Sequence, residues 1–245
     1  MNIRQHPVLI AAGGTGGHMF PAVSLASALA ARGHSILFVT DPRGGLVTSD
    51  VLGLPKTVMR HTISARSLGG GPKGMAAGVK ALAKGFFESR RLIREYKPTI
   101  AVGFGGYPSV PPILAAGFAG LPTVIHEQNA VLGRANRRLA RGAKAFALSF
   151  AQTQRLKSAG HSKATVVGNP VRPEIAALAA RPYTPPSGVI DLLVVGGSQG
   201  AQVFSKIAPT AFKSLSAPQR ARFRLAQQCR AEDIDEVRAT YAALN

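Results

Sequence analysis

Val8-Leu-Ile-Ala-Ala-Gly-Gly-Thr-Gly-Gly-His18 runs from a short apolar segment directly into a glycine-rich one. Continuous apolar runs of this length suit a strand buried on both faces of a parallel sheet. Ala22 to Ala31 has helical composition, with Pro21 near the expected helix start and Gly33 beyond its end. Ser35-Ile-Leu-Phe-Val-Thr40 then reads as a second strand. Strand, glycine loop, helix, strand is a βαβ unit, and it predicts a parallel sheet for the first part of the chain.

The same syntax recurs downstream. Met75 to Tyr96 predicts a basic amphipathic helix, and Thr99-Ile-Ala-Val102 a strand that breaks at Gly103-Phe-Gly-Gly-Tyr-Pro108. Pro112 to Ala119 reads as a short helix, and Pro122 to Ile125 as a strand ending in His126-Glu-Gln-Asn129. Val131 to Ala140 is helical and basic, and Ala164 to Val167 is a strand entering Gly168-Asn-Pro-Val-Arg172. Four prolines and a glycine between residues 173 and 190 mark an interdomain connection. Beyond it, strands at Asp191–Val195 and Phe223–Gln227 alternate with helices at Ala201–Leu215 and Glu232–Leu244. The expected organisation is a first domain over 1–168, a connection over 169–190 and the start of a second domain over 191–245. Two strands and two helices cannot cover both faces of a parallel sheet, so the second domain is expected to be cut short at Asn245.

Thirty Lys and Arg against eleven Asp and Glu give a formal charge of +19, and only seven of the acids precede Glu232. Such a surface selects anionic partners: phosphates, nucleic acid or an anionic membrane face. A nucleic-acid module is disfavoured, because Trp is absent and aromatics are 6% of the chain, with no aromatic–basic interleaving. The single Cys229 excludes an intrachain disulfide framework and a cysteine-based zinc site. Pro98 to Ile125 carries no formal charge, yet Pro108, Pro111, Pro112 and Pro122 break any continuous spanning helix. The stretch reads instead as strand, loop, short helix and strand.

Three glycine loops, Gly13–Gly17, Gly103–Gly106 and Gly196–Gly200, each follow a predicted strand. Glycine lets backbone N–H groups approach an anion, and the positive end of the next helix adds to the attraction. A phosphate-bearing ligand is therefore expected, although glycine also serves turn geometry alone. A dinucleotide fingerprint is not completed: Met19 stands where the third glycine should be, and Asp41 supplies only a possible ribose-binding acid. Gly196-Gly-Ser-Gln-Gly200 matches a nucleophile elbow, but every histidine precedes Ser198, against that fold's chain order. Asp233-Ile-Asp235 mimics a metal motif, yet it opens a helix, where acids favour the dipole. His18 is either a general base or an anion-binding histidine. Glu127 either meets a ligand or pairs with a nearby arginine. The Met75 helix sets Val79, Leu82, Phe86 and Phe87 beside Lys80, Lys84, Arg90, Arg91 and Arg94. That pattern suits an anionic membrane interface, or a surface helix packing its apolar stripe on the sheet.

Taken together and in this order, Gly13–His18, Gly103–Tyr107, His126–Asn129, Gly168–Arg172 and Gly196–Ala201 resemble the MurG family of bacterial N-acetylglucosaminyltransferases. The resemblance implies an α/β fold of GT-B type, with two Rossmann-like parallel-sheet domains, the second incomplete here. It implies inverting transfer of GlcNAc from UDP-GlcNAc to the C4 hydroxyl of MurNAc on undecaprenyl-diphospho-MurNAc-pentapeptide, the step from lipid I to lipid II in peptidoglycan synthesis. It places the enzyme peripherally on the anionic cytoplasmic face of the inner membrane, with no cofactor, no metal and no nucleic-acid partner. By motif, Thr15, Gly16, Gly17, Asn129, Arg172 and Ser198 correspond to donor-binding positions. Gly14, Tyr107 and Glu127 correspond to the acceptor site, and His18 to the base. The family's second domain continues past the point matching Asn245 and carries the uracil and ribose contacts. This chain alone is accordingly expected to bind the donor poorly.

Overall fold

The computed structural model describes residues 6–13, 15–43, 54–197 and 202–244. By its internal contacts the chain divides into two units, Met1–Leu178 and Ala179–Asn245.

The first unit is a seven-stranded sheet with every pairing parallel. Its strands are β1 (Val8–Ala11), β2 (Ile36–Thr40), β3 (Met59–Thr62), β4 (Ile100–Gly103), β5 (Thr123–Glu127), β6 (Ala145–Leu148) and β7 (Ala164–Val166). They lie in the order β3-β2-β1-β4-β5-β6-β7. The helices are α1 (Gly16–Ala31), α2 (Gly71–Tyr96), α3 (Val110–Phe118), α4 (Arg134–Leu139), α5 (Ser158–His161) and α6 (Pro173–Leu178). Alternate strand residues feed two cores. Val8, Ile10, Ile36 and Phe38 pack with Met19, Ala22, Val23 and Ala26 of α1 on one face. Leu9, Ala11, Leu37 and Val39 pack with Ile93 of α2, Ile113 of α3 and Leu139 of α4 on the other. Burial on both faces is why β1 and β2 read as unbroken apolar runs.

Two strands were not legible. β3 is an edge strand whose residues, Met-Arg-His-Thr, alternate between half-buried and exposed, so it carries no apolar run. β6 is Ala-Phe-Ala-Leu, whose alternate alanines are depleted in strands, so its composition does not mark it as one. The start of α1 also differs from expectation. Thr15 is extended (φ −116°, ψ 163°) and its carbonyl accepts the N–H groups of His18 and Met19, so the helix opens at Gly16. Pro21 therefore lies in the second turn, where it forgoes one backbone bond. The uncharged stretch 98–125 forms β4, a short 3₁₀ turn, α3 and the start of β5. No helix among the described residues is long and apolar enough to cross a membrane.

Helix α2 buries a stripe of small residues, Gly78, Gly85 and Ser89, together with Ile93. A Cβ at Gly78 would lie 2.6 Å from the Ser67 carbonyl oxygen, and one at Gly85 would collide with that of Ser64. The helix thus presses directly on segment 64–68, and Glu88 locks it there by accepting the Ser64 N–H (2.6 Å) and hydroxyl (3.1 Å). Several of its apolar side chains face outward, while Phe86 and Leu92 pack against the core beside Ile93. Met75, Val79 and Phe87 are exposed, and Phe86 meets exposed Phe118 of α3 edge-on at 5.7 Å.

The second unit holds a parallel pair, β8 (Ile190–Val194) and β9 (Phe223–Gln227), with α7 (Gln202–Lys213), α8 (Ala217–Arg220) and α9 (Ile234–Ala242). Phe212 packs edge-on against both Phe223 and Tyr241, forming its small core. Asp233 accepts the Ser205 hydroxyl at 2.8 Å at the start of α9, a role in tying helices together.

The sheet order reverses between β1 and β4, and there the loops after both strands touch. Phe104 N–H donates to Ala11 O at 2.9 Å. Gly105 and Gly106 are left-handed (φ 88° and 71°), and a Cβ at Gly106 would lie 2.6 Å from the Gly13 carbonyl oxygen. Gly106→Ala combines this backbone clash with left-handed strain, and is expected to cost more than about 2 kcal/mol. Gly117→Ala, in helical backbone with open space around it, should instead stabilise by about 0.5–1 kcal/mol. Urea unfolding of both variants checks the pair, and equal midpoints would contradict this account of the loop contact.

Candidate functional site

In an open parallel sheet, ligands bind beyond the carboxyl ends of strands where the strand order reverses. Here that position lies between the β1 and β4 loops. A cavity of about 470 Å³ opens there, lined by His18, Leu68, Gly105, Gly106, Tyr107, Arg134 and Asn136 among others.

Three kinds of group lie on these loops, and of them His18, Gly133 and Asn136 line the cavity itself. The first is the start of α1. Thr15 is exposed and its side chain makes no capping bond. The N–H groups of Gly16 and Gly17 belong to the helix's first turn, which has no intrahelical acceptor to offer them. These donors and the helix dipole suit an anion. The second is a histidine pair. His18 Nδ1 lies 3.1 Å from Gln128 Oε1, and Gln128 Nε2 lies 3.0 Å from both Phe104 O and His126 Nδ1. His126 Nε2 meets Gly168 O at 3.1 Å, and its ring stacks on Phe104 with centroids 5.0 Å apart. Burial is the main influence on His126 and holds its pKa below the ordinary 6.5, so it is neutral near pH 7.

The third is the loop after β5, built around Glu127. This carboxylate is only 1% exposed. Oε1 accepts the N–H (3.0 Å) and Nδ2 (2.9 Å) of Asn129, and Oε2 accepts the Gly133 N–H (2.8 Å) and Asn136 Nδ2 (2.8 Å). Four N–H donors compensate the buried charge without an arginine. Its oxygens thus bind the loop's own donors rather than an arginine.

The other expected residues fall as follows. Tyr107 lines the cavity, with its hydroxyl 3.4 Å from Asp41 Oδ2 and the Arg43 guanidinium 5.2 Å from its ring. Asp41 is buried and also bound to Arg43 at 3.1 Å, so it supports the loop rather than awaiting a ribose. Asn129 is exposed at the loop's tip, held by Glu127. Arg172 is exposed and its guanidinium lies 4.7 Å from the Phe20 ring, which brings it beside α1 two residues from His18. Gly14 and Ser198 lie outside the described residues. No group of three or more His, Cys, Asp or Glu side chains among the described residues is placed to hold a metal ion.

Two residues of the site escaped sequence reading. Asn136 is 1% exposed, lines the cavity and leaves Oδ1 without a partner, a buried acceptor available to a ligand donor. Its only signal was a lone amide within a basic helix. Gln128 was hidden because its role depends on two histidines 108 residues apart in the chain (His18 and His126). A second cavity, of about 610 Å³, is lined by Arg137, Arg138, Arg141, Arg155, Lys157 and Lys163, with no carboxylate in its wall.

Residues 8–148 match the glycosyltransferase family 28 N-terminal domain. The chain belongs to this family. It is 47% identical over 240 residues to the Rhodospirillum centenum UDP-N-acetylglucosamine--N-acetylmuramyl-(pentapeptide) pyrophosphoryl-undecaprenol N-acetylglucosamine transferase, spanning 97% of this chain and 62% of that one. It is 48% identical over 244 residues to the transferase of the same name from Granulibacter bethesdensis, again spanning 62% of it. The crystal structure of Acinetobacter baumannii MurG superposes with a TM-score of 0.68 at 28% identity, over 97% of this chain and 62% of that one. UDP-GlcNAc 2-epimerase from Neisseria meningitidis, bound to UDP-GlcNAc, shares the fold alone, with a TM-score of 0.59 at 13% identity. The fold is α/β of GT-B type, and the chain spans about three fifths of the length of these MurG relatives.

Replacing Glu127 with Gln presents an amide NH2 to two of the four loop donors. Glu127→Gln is expected to lower stability by at least about 2 kcal/mol, read from the urea midpoint. A loss under about 0.5 kcal/mol would mean that the loop does not depend on this carboxylate.

Proposed function

We propose that this chain supplies the acceptor half and the beginning of the donor half of an inverting N-acetylglucosaminyltransferase. The donor is UDP-GlcNAc and the acceptor is undecaprenyl-diphospho-MurNAc-pentapeptide. The observation that carries this reading is the cavity at the reversal of strand order, where His18 in the first turn of α1 packs against the Gly105–Gly106 turn in a chain of glycosyltransferase family 28. Residues 1–168 form the acceptor and membrane domain in this reading, 169–190 the connection, and 191–245 the start of the UDP-sugar domain.

The chemistry needs a base for the incoming hydroxyl and charge stabilisation for the departing diphosphate. His18 takes the proton of the MurNAc C4 hydroxyl. The oxygen attacks the anomeric carbon from the face opposite UDP, and the bond to UDP breaks with its electron pair leaving on the β-phosphate oxygen. The first-turn N–H groups of Gly16 and Gly17, the Thr15 hydroxyl, Arg172 and Ser198 are suited to phosphate oxygens. Gly14 and Tyr107 belong to the acceptor side and Asn129 to the donor side. Glu127 acts through the loop it holds.

The acceptor's lipid requires a membrane surface. Met75, Val79 and Phe87 of α2, with Leu114 and Phe118 of α3, expose an apolar patch, with Phe87 66% and Phe118 79% exposed. Lys73, Lys80, Lys84, Arg90, Arg91 and Arg94 lie on the same helix α2. Apolar insertion combined with cationic attraction suits peripheral binding to an anionic bilayer, here the cytoplasmic face of the inner membrane.

Two measurements test the proposal. In a form spanning the full length of its relatives, Arg172→Ala and Ser198→Ala should each reduce kcat/KM for UDP-GlcNAc by about tenfold or more, the loss of one charge-assisted contact. Unchanged kinetics in both would remove the donor assignment. The 245-residue chain should co-sediment with anionic vesicles and not with zwitterionic ones, and Phe87→Ser with Phe118→Ser should abolish co-sedimentation. Equal binding to both vesicle types, or binding unaffected by the two serines, would contradict the membrane assignment.

A further inference from the structure

The hydrogen bonds around Gln128 admit a single proton assignment. An amide offers one acceptor oxygen and two N–H donors. Phe104 O can only accept, and it lies 3.0 Å from Gln128 Nε2. Flipping the amide would set two oxygens against each other, so Nε2 faces Phe104 O and Oε1 faces His18. Both amide protons are then spent, on Phe104 O and on His126 Nδ1, 3.0 Å away. His126 must accept at Nδ1, and it carries its proton on Nε2, donated to Gly168 O at 3.1 Å. His18 Nδ1, 3.1 Å from an oxygen that can only accept, must be the protonated nitrogen.

We infer that Gln128 is a positioning residue that fixes neutral His18 as its Nδ1–H tautomer, leaving the Nε2 lone pair for the cavity. Nε2 has no hydrogen-bond partner among the described residues. The ring is held in place by Gly105 and Gly106: a Cβ at Gly105 would lie 3.2 Å from His18 Cε1, and one at Gly106 3.4 Å from Cδ2. A base acts through an unprotonated nitrogen directed at the reacting proton. A free histidine side chain favours the opposite tautomer, with the proton on Nε2, which would present a donor to the incoming hydroxyl. The relay therefore sets which nitrogen meets the substrate, with His126, Gly168 O and Phe104 O as its fixed end. Two other titratable groups bear on the relay. Glu127 adjoins His126 and favours its charged form, while burial opposes it more strongly. His18 is the group being oriented. That Nε2 serves as a base rests on the glycosyltransferase reading; the tautomer itself does not.

The test is long-range ¹H–¹⁵N correlation NMR of the histidine rings in the 245-residue chain at a pH where His18 is neutral. His18 is expected to show a protonated Nδ1 and an unprotonated Nε2. Gln128→Leu should convert it to the Nε2–H form. Gln128→Met, close in length but without an amide oxygen, should do the same, which a merely structural role for Gln128 would not produce. An Nε2–H tautomer in the unaltered chain overturns the inference, as does an Nδ1–H tautomer that persists in a folded Gln128→Leu variant. If Gln128→Leu does not fold, the unaltered chain and Gln128→Met decide it: Nε2–H in the first, or Nδ1–H persisting in the second, overturns it. Failure of the functional reading looks different: the Nδ1–H tautomer is present, yet His18→Gln leaves turnover of the full-length form unchanged.

Discussion

The backbone contact between Gly13 and Gly106 is the constraint on which the site depends. Sheet order alone brings the ends of β1 and β4 side by side. It does not bring their loops into contact. That requires Gly106 to be left-handed and free of a Cβ, with the Gly13 carbonyl 2.6 Å from where that atom would stand. With the two loops closed on each other, α1 starts at Gly16, and His18 falls in its first turn against the Gly105–Gly106 backbone. The cavity wall then draws on the loops after β1, β4 and β5, on segment 67–69 and on α2.

The second support is the loop after β5. A buried carboxylate without a cation is costly unless its lone pairs are filled. Glu127 meets this with four N–H groups from three residues that the chain must fold back to supply. In return the arrangement fixes Asn129, Gly133 and Asn136 relative to β5, and places Gln128 between the two histidines. The motif His126-Glu-Gln-Asn129 is thus one device with divided labour. Glu127 closes the loop, Gln128 orders protons, His126 anchors Gln128, and Asn129 is presented at the exposed tip.

Much of this fold was legible because parallel sheets write themselves plainly. β1 and β2 are buried on both faces and appear as apolar runs, and each glycine segment marks a strand's carboxyl end. β3 was hidden because an edge strand with alternating exposure carries no such run, and β6 because its alternate alanines do not favour a strand. The site was legible as a set of motifs but not as a division of roles. The part Glu127 plays in closing the loop was hidden because burial and loop donors cannot be seen from its neighbours in sequence. Asn136 and Gln128 were obscure for the same reason: their partners lie on other elements. The outward turn of Phe87 is explained only by the glycines on the opposite side of α2, which let that face sink onto segment 64–68.

The central claim is that the start of α1 and the Gly105–Tyr107 turn form the diphosphate-binding centre of the first unit. Titrating the ¹⁵N-labelled chain with inorganic pyrophosphate, and following backbone amide shifts, addresses it without any assay of turnover. The account predicts that the largest saturable shifts fall on Gly16, Gly17, His18, Gly105 and Gly106. Shifts confined to the cationic cavity lined by Arg137, Arg141 and Lys163, with the α1 amides unmoved, would contradict it.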